Sequence, residues 1–247
     1  MHRATILASL FLVPTVVNPA HAGRSRFGWL FDTETIPQRG VEVETWYLEE
    51  DGKGDPDVDE SKVLWQPVIG VTDRLELAFP LELAFERETN AADTALERFG
   101  AELRWRLTDP DPVERGPFAP LLRLGAKRLI GERDLLRLEA NVVLSLDAGP
   151  VHLAMDLGAV GEVDPIEGTA LYEARPGAGA SVRVIGELRL GAEFYGEIGL
   201  GDHPGVDWYS LGPNVAWTHG RFWLSGSFPI GLKNIDAAPR VNLAIAF

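Results

Sequence analysis

The sequence predicts an all-β protein, a transmembrane antiparallel up-and-down β-barrel of about twelve strands. Three observations lead there. Apolar and polar residues alternate with period two through long segments. The links between segments are alternately short and long. Aromatic residues gather near the segment ends.

The first 22 residues are a separate matter. Arg3 opens a positive region, Ala4 to Val17 is mostly apolar, and Ala20-His21-Ala22 is a small-x-small cleavage site after the helix-breaking Asn18-Pro19. This is the pattern of a secretory signal peptide. The run is short for a spanning helix, which needs about 20 apolar residues. No later segment approaches such a length. The expected organisation is a signal peptide at 1–22, a periplasmic N-terminal segment at 23–40 and a transmembrane barrel at 41–247. The stretch 23–40 would lie on the periplasmic side or cap the lumen, with Trp29 and Phe31 free to insert.

The clearest strand runs over 74–86. Leu75, Leu77, Phe79, Leu81, Leu83 and Phe85 share one parity, and Glu76, Ala78, Pro80, Glu82, Ala84 and Glu86 the other. An amphipathic helix would need apolar residues three and four apart. The same alternation marks 97–107, 134–147, 151–163, 188–200 and the terminal 240–247. Weaker versions mark 41–48, 61–71, 118–130, 170–185, 208–218 and 221–228. Most of these twelve segments match the roughly 9–11 residues of a tilted spanning strand and exceed the mean of about 5–6 in soluble sheets.

The links at 72–73, 148–150, 186–187 and 219–220 are tight. Those at 49–60, 87–96, 164–169, 201–207 and 229–237 are longer and polar. Short periplasmic turns and long outer loops alternate in this way. The links at 108–117 and 131–133 break the rule. On the apolar parity, Trp105, Phe118, Trp217 and Phe247 fall near the periplasmic ends. Tyr47, Phe85, Phe99 and Tyr209 fall near the outer ends. These rings are expected to form two aromatic girdles at headgroup level.

A barrel of this kind turns its polar parity inward. Arg104, Arg106, Arg123, Lys127, Arg137, Glu139, Arg183, Arg189, Glu193, Glu197 and Arg240 would face the lumen, with Glu76, Glu82 and Glu102 as partners. Two readings are open. The charges could pair across strands and fill the barrel, because unpaired charges in a narrow interior are costly. They could instead line a narrow pore whose charged rings select solutes. Pro80, Gly125, Gly158, Gly191 and Gly199 on the same parity would leave local space.

Composition narrows the function classes. There are 37 acidic and 23 basic residues, for a formal net charge of −14. Nucleic acid is a poor partner for such a chain, since phosphate binding needs Lys and Arg. The absence of cysteine removes disulfides and thiolate chemistry. Neither a cofactor nor a metal site is expected. The loop 49–60 carries Asp55, Asp57 and Asp59 at a spacing that hard cations favour, with Lys53 alone in opposition. Glu60 replaces the glycine that an EF-hand loop places next, so a solvated acidic loop is the plainer reading. For enzymatic chemistry the candidates are His152, His203 and His219. His219 sits in a turn and His203 in a loop. His152 lies on the lumen parity, without an evident serine partner. No catalytic residue is assigned.

The signal peptide, the alternating strands and the last strand Val241-Asn242-Leu243-Ala244-Ile245-Ala246-Phe247 together resemble a Gram-negative outer-membrane β-barrel protein of the porin-like, putative-transport kind. A terminal Phe with apolar residues two, four and six places before it is similar to the signal read by the barrel-assembly machinery. Trp29-Leu30-Phe31-Asp32-Thr33-Glu34-Thr35-Ile36-Pro37 resembles the opening of some such barrels. The resemblance implies an outer-membrane location, with outer-membrane lipids, lipopolysaccharide and the assembly machinery as partners. The function expected is a narrow pore or selective channel for small polar solutes. The alternatives are a closed structural or adhesive barrel working through the acidic outer loops, and a barrel lipid hydrolase using His152.

Overall fold

The computed structural model describes residues 25–54, 58–88, 91–111, 114, 116–131, 135–201 and 207–247. Its strands are β1 (Val41–Asp51), β2 (Val58–Thr72), β3 (Leu75–Ala78), β4 (Leu81–Glu88), β5 (Ala91–Arg106), β6 (Phe118–Leu129) and β7 (Leu136–Ala148). The second half adds β8 (Val151–Asp164), β9 (Thr169–Ile185), β10 (Leu188–Leu200), β11 (Trp208–His219), β12 (Phe222–Ser227), β13 (Ile230–Lys233) and β14 (Arg240–Ala246).

Every pairing is antiparallel, and β1 pairs with both β2 and β14, which closes the sheet into a barrel. Two staves are made of collinear halves. β3 and β4 lie end to end along β5, and β12 and β13 along β11. Fourteen segments therefore make twelve staves. The breaks fall at Phe79-Pro80 and Phe228-Pro229. Proline has no N–H to give to a ladder, so 74–86 is two strands rather than one.

Three expected links are shorter than predicted. β1 runs on to Asp51 and β2 begins at Val58, so half of 49–60 is strand. β4 and β5 take up most of 87–96. β13 occupies part of 229–237. In β1 the added residues Glu49, Glu50 and Asp51 are polar on both parities. Alternation therefore fails there as a guide to strand length.

The apolar parity points outward. Leu138, Val142 and Leu157 are between 45% and 49% exposed, and Leu136, Leu146, Leu153 and Met155 around them about 40%. An exposed apolar surface of this extent belongs against lipid. Tyr47, Phe99, Trp105, Trp217 and Phe247 lie on this outer face and are exposed, while Phe85 and Tyr209 are half-buried there. Tyr209 stacks on Phe194. The Phe247 N–H donates to the Val41 carbonyl beside the barrel seam.

Candidate lumen site

The charges of the inner face form a cross-strand ladder. Arg104 sits opposite Glu76 in the β3–β5 register and bonds Glu76 and Glu44 at 3.1 and 3.0 Å. It also reaches Glu102, which pairs with Arg123 as well. Glu139 gathers Arg123, Lys127 and Arg137 at 2.7, 3.1 and 2.9 Å. Glu197 holds Arg175 and Lys53 at 2.8 and 2.9 Å. Lys53, expected alone in an acidic loop, is thus turned into the barrel. A buried ion is tolerated where its charge and hydrogen-bonding capacity are met by neighbours, and the ladder does this stave by stave.

The rest of the inner surface is occupied by the chain itself. Residues 25–36 run inside the barrel, and Phe27, Trp29, Leu30 and Ile36 are 0–5% exposed. Such a segment has no sheet ladder of its own, so its backbone needs partners from the wall. Glu193 supplies most of them. Its carboxylate accepts the N–H groups of Gly28, Trp29 and Leu30 at 2.8, 3.0 and 3.3 Å. Asp156 accepts from Phe31 N–H at 3.2 Å, and Glu76 from Ile36 N–H at 2.7 Å. Asn214 donates to the Arg26 carbonyl at 2.6 Å, Ser225 to the Phe27 carbonyl at 2.9 Å and Asn242 to the Gly28 carbonyl at 2.8 Å. The plug's own ions are paired too: Arg26 bonds Asp32 and Glu34, and Arg106 of the wall reaches Glu34. Burial works against the Arg26 cation, but Asp32 and Glu34 outweigh it and hold its pKa above the ordinary value. Asp32 mirrors this. Burial pushes it up, and the charges of Arg26 and His152 together with the hydrogen bonds from Arg26 and the Thr33 N–H more than offset it, leaving its carboxyl below the usual range.

The aromatic side chains of the plug lock into the wall. Trp29 stacks on Tyr195 at 4.7 Å and meets Trp208 edge-on at 5.6 Å, in a cluster that includes Phe27, Leu30 and Ile235. Its Nε1 donates to the Ala238 carbonyl at 2.8 Å. Phe31 lies under the Arg123 guanidinium at 4.2 Å and beside Trp46 at 5.7 Å. The wall makes room where it is thinnest. A Cβ on Gly177 would stand 2.3 Å from Leu30 Cδ2, and one on Gly179 would stand 2.5 Å from Phe27 Cε1. Only glycine admits the plug there.

The lumen glycines named from the sequence do not open a passage. A Cβ at Gly158 would meet Asn141 Nδ2 at 2.7 Å, and one at Gly191 the Ala180 carbonyl at 2.1 Å. Gly125 has ordinary contacts, with Glu139 at 3.5 Å. Pro80 is buried at the break between β3 and β4.

Among the described residues, polar chambers lie on either side of the plug. The chamber at the short-turn end has a volume of about 430 Å³ and is lined by Arg26, Asp147, Arg183, Glu187 and Arg189 among others. The chamber at the long-link end has a volume of about 280 Å³ and includes Lys127, Arg137, Glu139, Glu197 and Arg240 in its wall. The sequence-derived lumen set therefore divides. Arg104, Arg106, Arg123, Lys127, Arg137, Glu139, Glu193, Glu197 and Arg240 are buried inside the barrel. Arg183 and Arg189 stand at the short-turn mouth, where Arg183 is exposed and Arg189 half-buried. Glu44, Asp156, Asn214, Ser225 and Asn242, which hold the ladder or the plug, were not singled out. Their position on the lumen parity was the available signal.

His152 is fully buried, with Nδ1 2.8 Å from Asp147 and Nε2 3.6 Å from Asp32 of the plug. No serine hydroxyl among the described residues hydrogen-bonds it. His219 stacks on Trp217. His203, Asp55 and Asp57 lie outside the described residues. Among the described residues no group of three or more His, Asp or Glu side chains is placed to hold a metal ion.

No family model matches the sequence, and a search of curated proteins gives no match. Solved structures do match. An outer membrane channel from Pseudomonas putida F1 superposes with a TM-score of 0.61 at 12% identity, over 87% of this chain and 98% of the channel. The NanC porin does so at 0.53 and 8% identity, over 83% and 98%. The translocator domain of the autotransporter NalP from Neisseria meningitidis does so at 0.53 and 12% identity, over 84% and 88%. With the closed twelve-stave sheet and its apolar outer belt, these likenesses establish the fold: the chain is a closed antiparallel β-barrel of the architecture shared by these outer-membrane proteins.

Proposed function

We propose that the chain is a narrow outer-membrane channel for small polar solutes, closed at rest by its own residues 25–36. The observation that carries this reading is the pair of polar chambers, about 280 and 430 Å³, separated by a segment held through side-chain hydrogen bonds rather than through the barrel's ladder. Bonds of that kind exchange with water when the segment moves, and the wall behind it stays intact. The channel and porin neighbours support the reading at the level of fold.

The depth of burial of Phe27, Trp29 and Leu30 favours a second reading, a barrel permanently filled by its N-terminal segment. Single-channel recording of the refolded chain separates the two. The channel reading expects brief openings in the wild type and longer ones in Glu193→Ala, which loosens the plug. A folded barrel that stays electrically silent in both forms overturns it. A folded species is recognised by its heat-shifted mobility on a gel.

A further inference from the structure

We infer that the chamber at the long-link end is a binding site for a small carboxylate with a flat apolar body, gripped through Arg240. The inference deepens the channel reading and rests on it for its biological sense.

Arg240 differs from the other buried arginines. Arg26, Arg104, Arg106, Arg123 and Arg137 each pair with at least one carboxylate. Among the described residues Arg240 pairs with none. Its Nε donates to Asn242 Oδ1 at 3.2 Å, and its guanidinium lies between two indoles, 4.4 Å from the Trp46 ring and 5.0 Å from the Trp29 ring. Stacking satisfies the faces of a guanidinium. It leaves the in-plane Nη donors, which form the fork that matches a carboxylate. The residue is 8% exposed and forms part of the chamber wall. An uncompensated buried cation is expensive, and an anionic guest removes that cost.

Two further features point the same way. Trp46 Nε1 is buried with no hydrogen-bond partner. Trp46 lines the same chamber, so a second donor is available beside the guanidinium. The chamber wall also carries eight cationic side chains against six carboxylates, in a chain whose formal net charge is −14. Its remaining surface includes Trp29, Phe31, Leu48 and Leu64. That combination suits a guest with one charged end and one flat apolar end, and a chamber of this size takes a single ring.

The test uses the refolded full chain in detergent, with benzoate as the probe and tryptophan emission as the readout. Acetate supplies the charge without the ring, and benzyl alcohol the ring without the charge. The expected result is saturable benzoate binding, with both controls at least about tenfold weaker. Arg240→Gln should weaken benzoate roughly 10- to 100-fold, the range for losing hydrogen bonds to a charged group. Trp46→Phe keeps a stacking ring and deletes the N–H, and should weaken benzoate about three- to tenfold. It also decides the matter if Arg240→Gln does not fold. Failure of benzoate to saturate, equal binding of benzyl alcohol, or unchanged affinity in the folded variants overturns the inference. Conductance of the same preparation keeps the two readings apart. A conducting chain that ignores benzoate defeats the site alone, and a silent chain that binds it defeats the channel alone.

Discussion

Glu193 is the residue on which the docking of the N-terminal segment depends most. It is 1% exposed, and its carboxylate receives three successive backbone N–H groups. Two of these bonds, at 2.8 and 3.0 Å, have good length, and the third is 3.3 Å. A hydrogen bond to a charged group contributes about 1.5–3 kcal/mol net, so the two shorter ones represent about 3–6 kcal/mol. Glu193→Ala strands these donors inside the lumen. Water entering the vacated space recovers part of the loss, which leaves about 2–4 kcal/mol. At about 1.4 kcal/mol per tenfold, the docked-to-undocked ratio falls roughly 30- to 700-fold. The barrel itself should survive, because the β10 ladders to β9 and β11 use backbone groups only.

Amide hydrogen exchange of Gly28, Trp29 and Leu30 reads this equilibrium directly. In Glu193→Ala these three amides should exchange faster by that factor, while amides in the middle of β7 and β8 keep their protection. Exchange of the three amides within twofold of the wild type, in a barrel shown to be folded, refutes the reasoning. Docking would then be held by the Trp29 cluster and not by the carboxylate.

Other perturbations test the remaining parts of the site. Gly179→Val should displace the plug by driving a side chain into Phe27 and Leu30, at about 1–3 kcal/mol for overpacking; red-shifted tryptophan emission reports the release of Trp29, and Gly125→Ala, with ordinary contacts, should leave emission unchanged. Arg104→Ser leaves Glu44, Glu76 and Glu102 around a missing cation and should cost about 3–5 kcal/mol in urea unfolding, so an unaltered midpoint would deny the ladder a structural role. Acid should loosen the plug. The docked Asp32 carboxyl is held below its ordinary pKa of 3.8, so its contribution is fully present above about pH 4 and is lost as pH falls through the lower, docked value. Channel openings should therefore rise as pH falls below about 4, and openings that stay unchanged through that range would deny Asp32 a part in holding the plug.

The staves were legible because each separates lipid from a polar interior, which writes a period-two code into the sequence. The code lapses where a stave leaves the belt. Glu49, Glu50 and Asp51 continue β1 with no alternation, and a polar run at that point looks like a loop. Pro80 and Pro229 were visible markers of the two interrupted staves, since each removes a ladder donor. The path of residues 25–36 had no such code. The segment follows no period, and its conformation is dictated by single polar groups on five strands: Glu76, Asp156, Glu193, Asn214 and Asn242.

That scatter explains why an inward polar residue is ambiguous in a barrel of this width. Twelve staves enclose more space than side chains alone fill. A wall carboxylate therefore has three possible partners: a cation across the strand, the chain's own backbone, or a guest. Glu139 takes the first, with three cations around it, and Glu193 takes the second. Alternation places both on the same face and cannot tell them apart. The distinction comes from what remains after the ion pairs and plug bonds are assigned. On the carboxylate side those pairs and bonds account for Glu76, Glu139, Glu193 and Glu197. On the cation side, among the described residues, Arg240 is the buried arginine without a carboxylate in ion-pair reach, and the Trp46 indole N–H beside it has no hydrogen-bond partner. A lumen built only to be filled has no reason to keep an unmatched pair of donors at the edge of a chamber, which is why the search for a solute should begin with anions.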